Sequence, residues 1–186
     1  MNWLTTTGLP LDGLKLITRR RAFDHRGFLS RIFCLTELAE GGWNNPVTQV
    51  NHSYTARAGA IRGMHYQRPP HSEMKCVTCI RGEVFDVAVD VRHDSASFLH
   101  WHGERLSAEY GGAMLIPEGF AHGFQALTDD VELIYFHSEI FTPDAEEVLN
   151  PLDPRLAIEW PLPVTDIASR DSASPMLTDS FKGIKR

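Results

Sequence analysis

The sequence predicts an all-β protein, built as a sandwich or a closed barrel, with a few short helices at its periphery. Apolar residues recur mostly at a period of two along the 186 residues, which is the spacing of half-buried strands. The alternating runs are short, and glycine, proline, aspartate and asparagine separate them. Many short strands at close spacing are typical of sandwiches and barrels. The 42% hydrophobic and 23% charged residues suit one globular domain over residues 1–186.

The predicted elements follow from this alternation and from the turn-forming residues that interrupt it. The candidate strands are residues 14–20, 48–53, 60–66, 74–80, 83–91, 99–106, 113–116, 123–126 and 131–139. A short helix is predicted over residues 36–39, with Thr36 as its N-cap and Gly41 and Gly42 ending it. We expect this helix to close one end of the barrel.

After residue 141 the pattern becomes irregular and prolines become frequent. Ile158 and Trp160 are the expected buried anchors of this region, which we interpret as an extended wrap around the barrel rather than a second domain. The last stretch, residues 172–186, is short and polar. It is predicted to be a flexible tail unless another part of the protein binds it.

The charge balance excludes some classes of partner. The chain carries 18 Lys and Arg against 24 Asp and Glu, a net charge of −6. This charge argues against electrostatic binding to nucleic acid or to an anionic membrane. Its longest apolar runs, such as residues 113–117, are far shorter than the roughly 20 residues that cross a bilayer. No signal-peptide pattern opens the sequence. We therefore expect a cytoplasmic protein with neither nucleic acid nor membrane as its partner.

The three cysteines do not form a disulfide framework. Cys76 and Cys79 spell CxxC, but the surrounding residues predict a strand, in which a separation of three places the two thiols on opposite faces. A redox motif begins a helix instead, and no second CxxC completes a zinc site. We interpret both cysteines as inert.

The densest cluster of reactive side chains is RGMHYQ at residues 62–67, followed by Lys75 on the next predicted strand. A turn between adjacent antiparallel strands can bring His65 and Lys75 into one cavity, where a base and a cation face the same ligand. Strict alternation sends Arg62 and His65 to opposite faces. Their joint use requires a bulge, which Gly63 can supply.

A second cluster, IPEGFAHGF at residues 116–124, resembles the second sequence motif of the cupin superfamily. Metal-binding cupins carry His-x-His and a glutamate in their first motif, and the segment 65–67 lacks the second histidine. The one literal His-x-His is His100 and His102, with Glu104 beyond. Because Trp101 then faces the core, we expect this pair on a solvated face and predict no metal.

Two further residues, Tyr135 and Asp171, have reactive side chains in unremarkable contexts. Taken alone, Tyr135 is more often a core aromatic whose hydroxyl is hydrogen-bonded, and Asp171 is more often a loop carboxylate.

Taken together, these segments resemble the dTDP-4-dehydrorhamnose 3,5-epimerase family, the RmlC-like cupins. The matching segments are DHRGF at 24–28, QVN at 49–51, RGMHYQ at 62–67, Lys75, VFDVAVDVR at 84–92, IPEGFAHGF at 116–124, DP at 153–154, IEWP at 158–161 and SRD at 169–171. The resemblance covers nearly the whole chain. It implies a dimeric cupin-type jelly roll that inverts carbons beside the ketone of a nucleotide-linked 4-keto-6-deoxyhexose, without metal or nicotinamide. The simplest candidate is the 3,5-epimerase of the dTDP-L-rhamnose pathway.

The resemblance also implies roles for individual residues. His65 is the expected base, Asp171 its orienting carboxylate, Lys75 the cation near the enolate oxygen and Tyr135 the acid on the opposite face. The residues expected to bind substrate are Arg26 and Arg62 at the diphosphate, Gln49 and Asn51 at the ligand, His122 at the sugar, and Glu146 and Arg170 at the nucleotide. Arg26 is expected to reach the site of a neighbouring subunit.

The chain departs from the family at three places. Arg31 stands where many members carry a glutamate, Phe141 replaces a common tyrosine near the site entrance, and residues 150–153 replace a tryptophan-bearing segment. These changes leave open which nucleotide and sugar are used, GDP- and CDP-sugars included, and whether one or two centres are inverted. A metal-dependent cupin and a non-catalytic sugar-binding jelly roll are the alternatives from other classes.

Overall fold

Two six-stranded sheets face each other in the computed structural model, which describes residues 2–185. The first sheet contains, in spatial order, β1 (Leu4–Gly8), β2 (Lys15–Arg19), β10 (Gly112–Ile116), β7 (Lys75–Arg81), β12 (Val131–His137) and β5 (Gln49–Thr55). The second contains β13 (Glu146–Val148), β6 (Ala60–Gln67), β11 (Phe120–Ala126), β8 (Glu83–Asp90) and β9 (Trp101–Ser107), with β14 (Asp166–Ile167) added beside β6. All but the last of these pairings are antiparallel. The all-β prediction is therefore confirmed.

Five smaller elements lie outside the two sheets. Strands β3 (Arg21–Asp24) and β4 (Gly27–Ser30) form a separate hairpin, and a 3₁₀ turn covers Pro143–Ala145. The helices are α1 (Leu35–Ala39) and α2 (Ser169–Ser172). Both helices are short and peripheral, as the sequence predicts.

The main core lies between the sheets. Val77 and Leu133 of the first sheet pack there with Val84, Ala88 and Phe124 of the second. The outer face of the first sheet is covered by α1 and by the fully buried Trp43, and the outer face of the second by the C-terminal segment. Both faces of the second sheet's central strands are thus covered, which explains why β8 and β11 contain no exposed residue.

Cys76 and Cys79 lie on opposite faces of β7, as predicted. Cys76 packs with the outer cluster around Trp43, and Cys79 packs in the core between the sheets. Burial raises the pKa of Cys76 to about 12 and that of Cys79 to about 11. Both are held as thiols at neutral pH, which fits the prediction that they are inert.

The prediction that Thr36 caps the first helix is wrong. Helix α1 begins at Leu35, its N-cap is Cys34, and no side chain caps it. Tertiary contacts hold the helix instead, because Leu38 is buried and the Glu37 carboxylate accepts hydrogen bonds from the backbone of the first strand.

Two strands begin two or more residues away from the predicted start. Strand β9 begins at Trp101 rather than at residue 99, because Leu99 has a φ of 62° and lies in a turn. Strand β11 begins at Phe120 rather than at residue 123. Strands β1, β3, β4, β13 and β14 were not predicted, since each has at most five residues and none shows a sustained alternation of apolar and polar residues.

The C-terminal segment crosses the outer face of the second sheet. Trp160 donates from Nε1 to the Pro151 carbonyl at 2.9 Å and packs with Ile158 against this face. Further along, Phe181 stacks on Phe98, and Ile184 pairs with Arg92. The described part of the predicted tail is therefore bound to the barrel, while Met1 and Arg186, included in the predicted domain and tail, lie outside the described residues.

Within residues 2–185, no helix is long and apolar enough to cross a membrane. A cytoplasmic location stays a prediction.

Candidate active site

An open cleft of about 690 Å³ lies between the two sheets at one end of the barrel. Strands β5, β7 and β12 supply one wall, and β6, β11 and the segment around α2 supply the other. The predicted site residues that line the cleft are His65, Lys75, Tyr135, Asp171, Gln49, Asn51, Arg62, His122, Glu146 and Arg170. Side chains separated by more than a hundred positions in the sequence therefore meet in one space.

A bulge at Gly63 turns Arg62 and His65 to the same side of β6. His65 pairs with His122 on β11, but Arg62 pairs with Phe124, so β6 holds one extra residue between them. Gly63 has a φ of 112°, and a Cβ there would lie 2.6 Å from the Gly123 Cα atom. Only glycine fits this position, and the bulge that the sequence required is present.

His65 and Asp171 form a hydrogen-bonded dyad. Parallel pairing of β14 with the start of β6 places α2 beside the bulge. Asp171 Oδ1 lies 2.8 Å from His65 Nε2, and Oδ2 accepts the Gly63 N–H at 3.1 Å. Burial works to raise the pKa of Asp171, but the hydrogen bond and charge of His65 together with the Gly63 N–H hold it below its usual value. The carboxylate is therefore ionised at neutral pH.

Arg170 competes for the same nitrogen of His65. Its Nη2 atom lies 2.8 Å from His65 Nε2, and a guanidinium only donates, so Arg170 and Asp171 favour opposite tautomers. Arg170 is more than half exposed and has two other partners, Glu146 at 2.7 Å and Asp171 Oδ1 at 3.3 Å, whereas Asp171 is buried and tied to the Gly63 backbone. We therefore assign the Nε2 proton to the bond with Asp171, which leaves Nδ1 as the proton acceptor.

Lys75 supplies a buried positive charge to the same cleft. Its Nζ atom lies 3.0 Å from Glu73 Oε1 and donates to the His65 carbonyl at 3.3 Å. Burial works to raise the pKa of Glu73, but Lys75 and His137 lower it below its usual value. The ammonium is thus held beside the dyad by a charged carboxylate.

Tyr135 stands on the opposite wall from His65. Its hydroxyl lies 3.2 Å from Ser53 Oγ, and its ring packs between the imidazoles of His122 and His137 at centroid distances of 6.0 and 6.1 Å. Burial raises the pKa of the phenol. Tyr135 therefore keeps its proton at neutral pH and can donate it.

His122 is held by a carboxylate that the sequence analysis missed. Asp86 is fully buried, and its Oδ1 atom lies 2.7 Å from His122 Nε2. The Asp86 Oδ2 atom has no hydrogen-bond partner among the described residues. A carboxylate inside the apolar strand 84–91 is the signal that could have identified it.

Arg62, Gln49 and Asn51 are each fixed by neighbours along β5. Arg62 donates to the Thr55 hydroxyl at 3.0 Å and to the Tyr54 carbonyl at 2.9 Å. Gln49 donates from Nε2 to Asn51 Oδ1 at 3.0 Å. This edge of the cleft therefore presents a guanidinium and two amides to a ligand.

Arg26 does not lie in the cleft of its own chain. It occupies the turn between β3 and β4, where it is 78% exposed and pairs with Asp24 at 2.7 Å. The hairpin also exposes Phe23, Phe28 and Leu29.

The departures from the family pattern fall in different places. Arg31 pairs with Glu37 at 2.7 Å and does not line the cleft, whereas Phe141 does. Asn150 donates to the carbonyls of Ser172 and Ser174, and so anchors the segment that carries Asp171.

The histidines of the literal His-x-His do not point together. His100 is exposed and precedes β9, while His102 lies on β9 with its Nε2 atom 3.1 Å from Glu104. Trp101 is half-buried against Phe85 on the outer face of the second sheet, and His102 is half-buried too, so of the two histidines only His100 is exposed as predicted. Across residues 2–185 we find no group of three or more His, Cys, Asp or Glu side chains arranged to hold a metal ion.

The cleft thus joins a base on one wall to a cation and a weak acid on the other. A neutral imidazole beside a carboxylate accepts a proton, an ammonium stabilises an oxyanion, and a phenol returns a proton from the opposite side. This set suits inversion at a carbon next to a carbonyl group.

Comparison with known proteins agrees with this geometry. Residues 8–179 match the family model described as dTDP-4-dehydrorhamnose 3,5-epimerase. A dTDP-4-dehydrorhamnose 3,5-epimerase from Sinorhizobium fredii is 35% identical over 95% of this chain and 93% of its own length, and a dTDP-4-dehydrorhamnose 3-epimerase from Streptomyces niveus is 36% identical over 92% and 83%. The dTDP-6-deoxy-D-glucose-3,5-epimerase of Legionella pneumophila, solved with dTDP-4-keto-L-rhamnose, superposes with a TM-score of 0.91 at 34% identity over 98% of both chains.

Proposed function

This chain belongs to the dTDP-4-dehydrorhamnose 3,5-epimerase family, and from that premise we propose that it converts dTDP-4-dehydro-6-deoxy-D-glucose to dTDP-4-dehydro-L-rhamnose. It is an epimerase with the cupin-type jelly-roll fold of that family. The observation that carries the proposed reaction is the placement of the His65–Asp171 dyad and Tyr135 on opposite walls of one cleft. Inversion needs a base on one face of the sugar and an acid on the other, and this arrangement supplies both without a cofactor.

The reaction proceeds by removal and return of a proton beside the ketone. His65 takes the proton from the carbon, and the electron pair moves onto the C4 oxygen to give an enolate. The Lys75 ammonium stabilises that oxygen. Tyr135 then delivers a proton to the other face of the carbon, and exchange with solvent restores His65 and Tyr135. Asp171 holds the productive tautomer of His65 and stabilises its charged form.

The remaining cleft residues hold the nucleotide sugar. We assign Arg62 to the diphosphate, since its guanidinium faces the cleft and suits phosphate oxygens. We assign Arg170 and Glu146 to the nucleotide, His122 to the sugar, and Gln49 and Asn51 to ligand contacts from β5, since all five line the cleft.

Arg26 reaches substrate only from a second copy of the chain, because it lies outside the cleft of its own chain. We therefore propose a homodimer in which the β3–β4 hairpin of one copy contributes Arg26 to the other. The exposed Phe23, Phe28 and Leu29 are the apolar surface that such an assembly covers. Light scattering that shows a monomer with full activity would refute this arrangement.

The decisive experiment is incubation with dTDP-4-keto-6-deoxyglucose in D₂O. Deuterium at both C3 and C5, with the inverted product trapped by a reductase, supports the 3,5-epimerase. GDP- and CDP-linked analogues test the nucleotide. No exchange with any donor by folded protein that binds nucleotide would overturn the proposal.

A single-centre reaction is the second candidate. The 36% identity to the Streptomyces niveus 3-epimerase favours it, and Phe141 at the cleft changes the surroundings of the sugar. Exchange at C3 alone in the same experiment identifies that enzyme.

A further inference from the structure

Glu73 and His137 form a charged cluster with Lys75 on the first-sheet wall of the cleft. Glu73 Oε1 lies 3.0 Å from Lys75 Nζ, and Glu73 Oε2 lies 2.7 Å from His137 Nδ1. The three side chains are only 8 to 10% exposed, and all three line the cleft. None of the roles derived above for His65, Asp171 and Tyr135 requires Glu73 or His137.

The tautomer of His137 follows from a chain of hydrogen bonds that begins at a backbone N–H, whose role as donor is unambiguous. The Phe141 backbone N–H donates to Gln49 Oε1 at 3.0 Å, which fixes the orientation of that amide. Gln49 Nε2 then donates to Asn51 Oδ1, so Asn51 presents its NH₂ group to His137 Nε2 at 3.4 Å. Since Nε2 accepts, the proton of a neutral His137 is on Nδ1, from which it donates to Glu73.

The same chain of hydrogen bonds continues from Glu73 through Lys75 to the backbone of His65, the catalytic base. Glu73 accepts from the Lys75 ammonium, and Lys75 donates to the backbone carbonyl of His65. One carboxylate therefore serves two donors, His137 Nδ1 and Lys75 Nζ, with one oxygen for each. A neutral amide at this position has only one acceptor oxygen and leaves one of the two donors without a partner.

We propose that Glu73 and His137 are positioning residues, which hold the Lys75 ammonium against the developing enolate and the Asn51 amide against the ligand. This role rests on the proposed epimerase function. Glu73 acts directly on Lys75, and His137 acts on Asn51 through the tautomer that Glu73 fixes.

The test compares two carboxylate-to-amide variants. Glu73→Gln is expected to lower kcat by about 10- to 100-fold, because the ammonium is no longer held in place. Its affinity for dTDP is expected to stay unchanged, because neither Glu73 nor His137 is among the residues assigned to the diphosphate or the nucleotide. Glu104→Gln is the matched control, since Glu104 also faces a histidine, His102 at 3.1 Å, but lies outside the cleft. This control keeps its kcat.

A second variant and a spectroscopic measurement separate positioning from folding. His137→Gln keeps the Glu73–Lys75 ion pair, and in combination with Glu73→Gln it should add little to the loss, because both residues act in one unit. ¹⁵N NMR of histidine-labelled wild-type protein should show His137 protonated at Nδ1 and unprotonated at Nε2. Glu73→Gln should shift this tautomer equilibrium.

Each outcome decides between the alternatives. An Nε2-protonated His137 in the wild-type protein, or an unchanged kcat in folded Glu73→Gln, overturns the positioning role while the epimerase function stands. Equal loss of kcat in Glu73→Gln and in the Glu104→Gln control also overturns it. Failure of the wild-type protein to exchange sugar protons instead refutes the proposed function, and the catalytic part of this role with it.

Discussion

Replacement of Asp171 by asparagine should abolish catalysis by reversing the tautomer of His65. In the native site Asp171 Oδ2 accepts the Gly63 N–H at 3.1 Å, and Oδ1 accepts from His65 Nε2 at 2.8 Å and from Arg170 Nε at 3.3 Å. Asparagine has one acceptor oxygen. Gly63 is buried and its N–H donates to Asp171, whereas Arg170 is more than half exposed and keeps Glu146 as a partner, so the oxygen stays at Gly63 and the NH₂ group faces His65. His65 Nε2 must then accept, and Nδ1 becomes protonated and unable to act as the base.

The expected loss is large, because both the tautomer and the stabilising charge are removed. Loss of a dyad carboxylate of this kind lowers kcat by about 10³- to 10⁴-fold, which corresponds to about 4 to 5.5 kcal/mol of transition-state free energy. The assay is the initial rate of deuterium incorporation into dTDP-4-keto-6-deoxyglucose in D₂O. Binding of dTDP and the far-ultraviolet circular dichroism spectrum should both remain native, since the amide preserves the bond to Gly63.

A folded Asp171→Asn variant that binds dTDP and retains a tenth or more of the wild-type exchange rate would refute this reasoning. It would show that Asp171 does not set the tautomer of His65. The competing contact from Arg170 Nη2, at 2.8 Å, would then be the one that determines it.

Three further substitutions test other parts of the structure. Tyr135→Phe should abolish formation of inverted product yet retain some deuterium exchange, because the carbanion can form and be reprotonated on its original face; NMR of the product measures both. Gly63→Ala should lower the free energy of unfolding by about 3 kcal/mol, since the new Cβ lies 2.6 Å from the Gly123 Cα at a φ of 112°; a thermal transition unchanged from the wild type would contradict this. Burial opposes the ionisation of Asp90, but hydrogen bonds led by that of Arg92 lower its pKa to about 2. Because the folded pKa lies below the unfolded value of 3.8, this carboxylate stabilises the fold by about 2 kcal/mol above pH 4 and the gain disappears as the pH falls through 2. The stability difference between wild type and Asp90→Asn, measured by urea unfolding, should therefore shrink from pH 7 to pH 2.

The sequence predicted the strands that carry the reactive residues because those strands alternate or are bounded by turns. It also predicted a bulge at Gly63, because a regular strand cannot present both Arg62 and His65 on the same side. Short polar strands such as β3 and β13 gave no such signal, because tertiary contacts rather than periodicity define them.

The Glu73–His137 pair was missed for a different reason. Glu73 lies in a hydrophilic loop, where a carboxylate is expected to face solvent, and only the pairing of β7 with β12 brings it to His137. A signal was nevertheless present, since His137 follows Tyr135 by two residues on the same strand and therefore faces the same side. No local pattern could show that Arg26 lies outside its own cleft, because that depends on the direction in which the β3–β4 hairpin projects.

The position of Asp171 in the chain bears on when the protein becomes active during its synthesis. His65 and its carboxylate are 106 residues apart, and β6, β11 and β12 all leave the ribosome before α2 does. A nascent chain that stops short of α2 already contains the strands that line the cleft, with Lys75 and Tyr135 among their residues, but its imidazole has no carboxylate to fix the tautomer. The His65–Asp171 dyad is therefore completed only when the segment from β14 to α2 has been translated, after the strands that carry His65, Lys75 and Tyr135.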